Sequence, residues 1–287
     1  MTLHARRVTA YPAAAMAARA RARLARLPFH AYKRTMTGAV IPAQRALRKR
    51  RLDRLVPGEV TVVTVNWNTL RYLETMVAMV RRHSPASTRI VVVDNASTDG
   101  SREWLRAQPE LRHRLLRYNL HHGPAADIGA LMVETEFLVL LDVDAFPLSD
   151  QWLPAVIHPL RAGCTVAGGH VHRHYVHPSY FAMRTRDFVS RDHSFSIVGE
   201  WKKGVKGGGD GFRDAGENIS VRERERFGPE TTHLIPVTST RGPGMLGTVF
   251  GDLVYHNFFS TGYGPAAQRR AQTNAAWDEA VARYVDG

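Results

Sequence analysis

Cysteine is almost missing. The 287-residue chain has one, Cys164, which excludes a disulfide framework and any zinc site built from several cysteines. Long apolar runs are missing too. No stretch approaches the roughly 20 residues that cross a bilayer, so no transmembrane helix is expected. Arginines interrupt the one apolar region near the start, which argues against a secretory signal there. Acidic residues are absent from positions 1–56 except for Asp53, against 14 Lys and Arg. Few aromatics are interleaved with those arginines, so nucleic acid is not the expected partner. There is no internal repeat, and no glycine fingerprint of the dinucleotide-binding type follows the first β-branched run.

What is present is a globular composition, 44% hydrophobic and 23% charged. The formal charge of +13 belongs entirely to the first 56 residues; the remainder carries 25 residues of each sign. A composition break at Pro57-Gly58 divides the chain into a basic extension, 1–56, a main domain, 57–265, and a terminal helix, 266–287, with Trp277 as its anchor. The extension has two basic clusters, Arg19 to Arg26 and Arg45 to Arg54, among alanines that favour helix. Two readings of it stay open. Either it adsorbs to an anionic membrane surface or an acidic partner, or it is a solvated or self-packed arm. The location implied is cytoplasmic, peripheral at the inner membrane surface under the first reading.

From residue 59 the pattern alternates strand and helix. Val60 to Val65 is a β-branched run suited to a buried parallel strand. A helix is expected over 70–82, stopped by Ser84-Pro85. Strands follow at 89–94, 113–118 and 137–141, with a short helix near Trp104 and another over 123–133. This predicts an open, mostly parallel α/β sheet flanked by helices. Ligands of such sheets bind beyond the carboxyl ends of the strands. Three of those ends are polar: Asn66-Trp67-Asn68, Asp94-Asn95 and Asp142-Val143-Asp144. A single polar end would be explained as a helix cap; three at one edge point to a site.

In a strand, residues i and i+2 share a side. Asp142 and Asp144 can therefore face one point as the fourth strand leaves the sheet. Two close carboxylates repel and call for a counter-charge. Mg2+ or Mn2+ supplies it, taking oxygen ligands and sharing phosphate oxygens. The plainer reading is a pair of turn and capping aspartates.

Taken together, Val62 to Asn68, Val91 to Ser101 and Leu140 to Asp144 resemble the family-2 glycosyltransferases of GT-A fold. The resemblance runs from about residue 59 to 260 and leaves out the basic arm. It implies a nucleotide-diphosphate sugar as donor, an acceptor hydroxyl, and transfer with inversion. It implies that the base and ribose lie against Thr64, Asn66 and Asp94, and that Ser97 and Asp99 hold their loop. Mn2+ or Mg2+ and the diphosphate fall at Asp142 and Asp144. Asn119 to Asp127 resembles the family's third-strand loop, which adds Asn119, Gly123 and Asp127 to the donor site; the family often has Asn where Asp127 stands. His256, in Val254-Tyr255-His256-Asn257, matches a late histidine close to the ion.

Attack by a hydroxyl needs a base. Phe212 to Arg222 resembles the family's acceptor-side helix start, with Glu217-Asn218 where the family has an acidic pair. Glu217 is the first candidate base and Asp214 the second. The plainer alternative is a capping box, Asp214 as N-cap and Glu217 three residues on. His170, His172 and His174 alternate as on one strand face. They and His177 are read as exposed groups of an acceptor groove rather than a zinc site, with Tyr175 and Tyr180 as exposed sugar-stacking aromatics. The glycine-rich 204–211 reads as a loop, and Cys164 as a buried small residue.

Two rivals remain. A nucleotidyltransferase would share the sheet and the aspartates, but Asn66-Trp67-Asn68-Thr69 lacks the glycine and lysine it needs. A non-catalytic carbohydrate- or partner-binding protein of the same fold would not need Asp142, Asp144, Glu217 and His256.

Overall fold

The computed structural model describes residues 25–171, 175–196, 215–242, 245–258 and 267–286, with backbone only for 267–270. Asp214, His172, His174 and the glycine-rich 204–211 lie outside the described residues.

Ten strands form one sheet in the order β3-β2-β1-β4-β7-β6-β8-β9-β10-β5. The first part is the parallel unit expected: β3 (Arg112–Leu115), β2 (Arg89–Asp94), β1 (Val56–Asn66) and β4 (Thr135–Leu141). The second part makes the sheet mixed. β7 (Tyr180–Arg184) pairs antiparallel with β4 and with β6 (Val166–His170), and β8 (Thr232–Ser239) runs parallel to β6. Three short strands close that end: β9 (Thr248–Phe250), β10 (Val254–His256) and β5 (Ala145–Pro147), all antiparallel to their neighbours.

The strand residues alternate between two cores. Val62, Val92, Val139 and Leu141 face one hydrophobic cluster. Val63, Val65, Val91, Val93, Leu138 and Leu140 face the other. A strand covered on both faces needs apolar side chains at successive positions, which is why the β-branched runs were so plain. On the first face, α2 (Leu70–Arg82) buries Tyr72, Leu73, Met76, Val77 and Val80 at helical spacing. Trp277, on the terminal helix (Ala267–Tyr284), joins the same cluster. On the second face, α4 (His122–Leu131) lies so close to the sheet that a Cβ on Gly129 would stand 2.4 Å from Val63 Cγ1. The remaining helices are α1 (Ile41–Lys49), α3 (Ser101–Arg106), α5 (Pro154–Arg161), α6 (Thr185–Ser190) and α7 (Glu217–Phe227).

The arm joins this packing. The chain is helical from 25 to 35, passes a π turn at Met36–Val40 and continues as α1. Met36 and Ile41 are buried in the second core. Arg45 donates to the carbonyls of Phe188 (3.0 Å) and His193. Arg48 donates to the carbonyl of Leu131 (3.1 Å) and pairs with Glu134. Part of the second basic cluster is thus spent on main-chain oxygens of the main domain, while Arg50, Arg51 and Arg54 stay exposed.

Three local expectations are corrected. Tyr175 and Tyr180 are buried, not exposed; the Tyr180 hydroxyl donates to the Trp152 carbonyl inside the first core. His177 is buried rather than open on a groove. Cys164 is only half-buried, with Sγ 3.8 Å from the Glu230 carbonyl oxygen.

Candidate active site

The carboxyl ends of β1, β2 and β4 lie side by side because the strands are parallel and in register, Asn66 opposite Asp94. Asn66 Nδ2 donates to Asp94 Oδ2 (2.9 Å) and Ser97 Oγ (3.1 Å). Asp94 Oδ1 accepts the Ser97 amide at 3.0 Å, and Ser97 Oγ accepts the Asn68 amide at 2.9 Å. Asp99 accepts the Leu70 amide at the start of α2 (2.8 Å) and the Ser101 hydroxyl at the start of α3 (2.6 Å). Hydrogen bonds from Ser101 and Leu70 outweigh partial burial and hold the Asp99 carboxyl below its ordinary range. Asn66 and Asp94 are fully buried. Their polar atoms serve each other and the loop; Trp67 is half-buried beside them. Thr64 is buried on β1, and its hydroxyl has no hydrogen-bond partner among the described residues.

The next residue, Asn95, was not singled out in the sequence. Its side chain accepts the Leu120 amide (2.8 Å) and donates to the His121 carbonyl (3.2 Å). Asn119 Oδ1 accepts the His121 amide at 2.7 Å. His121 is held at φ 69° and ψ 170°, a region that only glycine occupies without strain. This fixes how α4 starts, one residue later, at His122.

Asp142 and Asp144 follow β4. β5 comes directly after them, and β10 pairs with it so that His256 stands opposite Ala145. That register brings His256 Nε2 to 3.5 Å from Asp142 Oδ2 and 3.2 Å from Asp144 Oδ1. His177 joins from the β6–β7 connection. Ligand atoms of Asp142, His177 and His256 lie within 4.8 Å of one another. His177 Nδ1 is engaged by the Ser179 hydroxyl (2.7 Å) and amide (3.2 Å). On the other side, His122 Nε2 is 3.5 Å from Asp142 Oδ1.

A buried carboxylate oxygen is costly without a partner. Asp142 Oδ1 is such an atom, closed to solvent with no hydrogen bond among the described residues. Two carboxylates and an imidazole meeting there form a donor set suited to Mn2+ or Mg2+, so the residues present fit a divalent cation.

Glu217 is the first residue of α7. The capping-box expectation is corrected: the N-cap is Gly216, not Asp214. Gly216 has φ 79°, and a Cβ there would stand 3.0 Å from the Phe195 ring, so the turn takes glycine at the point where a longer capping residue was expected. Glu217 and Asn218 are both buried. Ser220 Oγ accepts the Val176 amide at 3.1 Å, which ties α7 to the segment carrying His177.

Asp127 is buried and serves as a clasp. It accepts the Ser194 hydroxyl (2.5 Å), the Phe195 amide (2.7 Å) and the Ser196 hydroxyl (2.9 Å). Burial pushes its carboxyl above the ordinary range, against those hydrogen bonds and the Arg45 charge. Gly123 lies beneath the same strap, where a Cβ would meet the Phe195 carbonyl oxygen at 2.7 Å.

The structure thus brings Asp142, Asp144 and His256 together, and adds His177 and His122. It sets Asn66, Asp94, Ser97 and Asp99 in one latch, and uses Asn119, Gly123 and Asp127 to seat α4. His122 had a signal, its place beside Gly123. His177 had one too, the histidine-rich run.

A model of the family described as "Glycosyl transferase family 2" matches residues 61–213. Among solved structures, the chain is similar to S. aureus TarS 1-349, with 16% identity over 48% of this chain and 50% of that one, at a TM-score of 0.43. It is similar to the same protein in complex with UDP-GlcNAc, with 16% identity over 48% of each chain and a TM-score of 0.42. It is also similar to the mannosyltransferase PcManGT from Pyrobaculum calidifontis in complex with GDP-Man and Mn2+, with 20% identity over 58% and 59% and a TM-score of 0.42. The chain spans half to three-fifths of the length of these proteins. No curated protein sequence matches it.

Proposed function

The chain belongs to glycosyl transferase family 2 and is a glycosyltransferase; from that premise we propose a metal-dependent, inverting transfer from a nucleotide-diphosphate sugar to an acceptor hydroxyl. The observation that carries the metal-dependent part is the meeting of Asp142 and Asp144 on His256 Nε2, at 3.5 and 3.2 Å. These three residues would hold Mn2+ or Mg2+. Bound there, the ion supplies Lewis-acid stabilisation of the negative charge on a departing diphosphate. The neighbours with solved structures include one with UDP-GlcNAc and one with GDP-Man and Mn2+; the donor class proposed is the same.

The protein's own groups do the rest. The latch of Asn66, Asp94, Ser97 and Asp99 shapes the loop that receives the base and ribose, with Thr64 on the strand beneath. Asn119, Gly123 and Asp127 seat the helix beside the diphosphate. Glu217 takes the proton of the acceptor hydroxyl as its oxygen bonds to the anomeric carbon. The bond from that carbon to the phosphate oxygen breaks on the opposite face, so the configuration inverts and a nucleoside diphosphate leaves. Asp214 is the alternative base.

The test is release of product from UDP-, GDP- and dTDP-sugars with and without Mn2+. Free nucleoside diphosphate, dependent on the cation and lost by at least about a hundredfold in Asp142→Asn, is expected. Pyrophosphate would identify a nucleotidyltransferase, and no product at all a binding protein. Glu217→Gln is expected to abolish transfer while leaving donor binding and Tm within error. Full activity in that variant would remove Glu217 as base.

For the arm we propose peripheral contact with an anionic surface at the cytoplasmic face of the membrane. Among the described residues no helix is long and apolar enough to cross a membrane. Leu27 and Leu47 are each 56% exposed and stand among the exposed Arg26, Arg50, Arg51 and Arg54. Exposed leucines set among arginines favour adsorption at an interface.

A further inference from the structure

His122 has no part in the reading above, yet its surroundings are unusual. Its Nε2 lies 3.5 Å from Asp142 Oδ1. Both atoms are shut off from solvent, and neither has a hydrogen-bond partner among the described residues. Two facing polar atoms left unsatisfied mark a place completed by something else. The ring itself is reachable, with 36% of the side chain exposed. Its position is dictated from behind. Asn95 and Asn119 clamp His121 in its strained conformation, and His122 is the first residue of α4.

The chemistry of the missing group follows from where the ring sits. The N-terminus of a helix carries a partial positive charge, and the first turn of α4 contains no acidic residue to offset it. A cation bound by His122 would be opposed there, and an anion would be favoured. Asp142 Oδ2 already faces His256, with Asp144 behind it. The cation ligands therefore gather on one side of Asp142, and the imidazole of His122 stands on the other.

We propose that His122 binds the diphosphate of the donor, its Nε2–H donating to the phosphate oxygens both in the bound sugar nucleotide and in the nucleoside diphosphate that leaves. This rests on the glycosyltransferase reading and adds a phosphate-binding residue to it. No bond to His122 forms or breaks; it holds the anion through a hydrogen bond.

Calorimetry on the full chain tests it. UDP, GDP and dTDP are titrated with Mn2+ present, and the one bound most tightly is carried forward with its monophosphate. His122→Ala is expected to weaken the diphosphate about tenfold or more and the monophosphate far less. His122→Gln, whose amide can reach the same point, is expected to recover much of the loss. Mn2+ affinity alone, measured from free-ion signal by electron paramagnetic resonance, is expected to stay unchanged in both variants, with Tm unchanged. Equal diphosphate affinity in wild type and His122→Ala would overturn the assignment and leave the transferase reading standing. A parallel fall in Mn2+ affinity would overturn it in favour of a metal ligand. If the wild type bound none of the three diphosphates, both proposals would fall together.

Discussion

Glu223 shows how a single buried charge is kept. It is 1% exposed and accepts His193 Nε2 at 2.7 Å, with Arg191 on its other oxygen. Burial alone would raise its pKa, but the His193 hydrogen bond and the His193 and Arg191 charges outweigh that and leave it below 4.5. A carboxyl depressed in the folded state gives stability that is present above its unfolded pKa. That stability is lost as pH falls through the folded value. Thermal melts between pH 7 and pH 3 are therefore expected to show a fall in Tm that steepens below about pH 4.5. Glu223→Gln is expected to be less stable at pH 7 by about 3 kcal/mol, roughly 6–12 °C, with a flatter acid limb. An unchanged limb would assign the acid sensitivity elsewhere. The same scale shows where sequence was silent. Asp142, Asp144 and His256 could be named from strand ends and family likeness. His122 and His177 could not, because the register that places them is set by other segments. Tyr175 and Tyr180 misled because an aromatic near a site is read as a sugar platform, and only burial tells it from core.

Among the elements, α4 matters most to the site, since its first residue faces Asp142. Gly129 lets it lie against β1, and an added methyl there would be 2.4 Å from Val63 and 3.2 Å from Val93. Gly129→Ala is expected to push the helix outward and cost about 1–3 kcal/mol. It should also raise the donor KM more than it lowers kcat, because His122 moves with the helix. A variant with wild-type Tm and KM would mean that the contact relaxes without moving α4. Elements were legible where burial on both faces wrote itself into continuous apolar runs, as in β1, β2 and β4, or where a stop signal was sharp, as at Ser84-Pro85. The three-residue strands β5, β9 and β10 were not. Strands so short have no period to read, and their pairing joins residues more than a hundred positions apart, as His256 and Ala145 do.

At the scale of the whole molecule, charge and packing divide the chain differently. The charge boundary falls near residue 57, but Met36, Ile41, Arg45 and Arg48 belong to the body by their contacts. What remains for an outside partner is the exposed set around Leu27 and Leu47. Sedimentation with vesicles is expected to show binding to phosphatidylglycerol and not to phosphatidylcholine, weakening as salt shortens the Debye length from about 10 Å at 0.1 M. Leu27→Ser with Leu47→Ser is expected to reduce it severalfold without lowering Tm. Binding that ignores lipid charge, or survives that double change, would dismiss the membrane reading.

The docking of Arg45 and Arg48 also decides how this enzyme can be handled. A fragment starting at Pro57, the cut that charge alone invites, would strip the caps from the carbonyls of Leu131, Phe188 and His193. It would also uncover the greasy seat left by Met36 and Ile41. Such a trimmed protein would report damage to its scaffold, whatever the assay was meant to ask. What the arm contributes has to be learned by exchanging its outward-facing side chains one at a time, never with scissors.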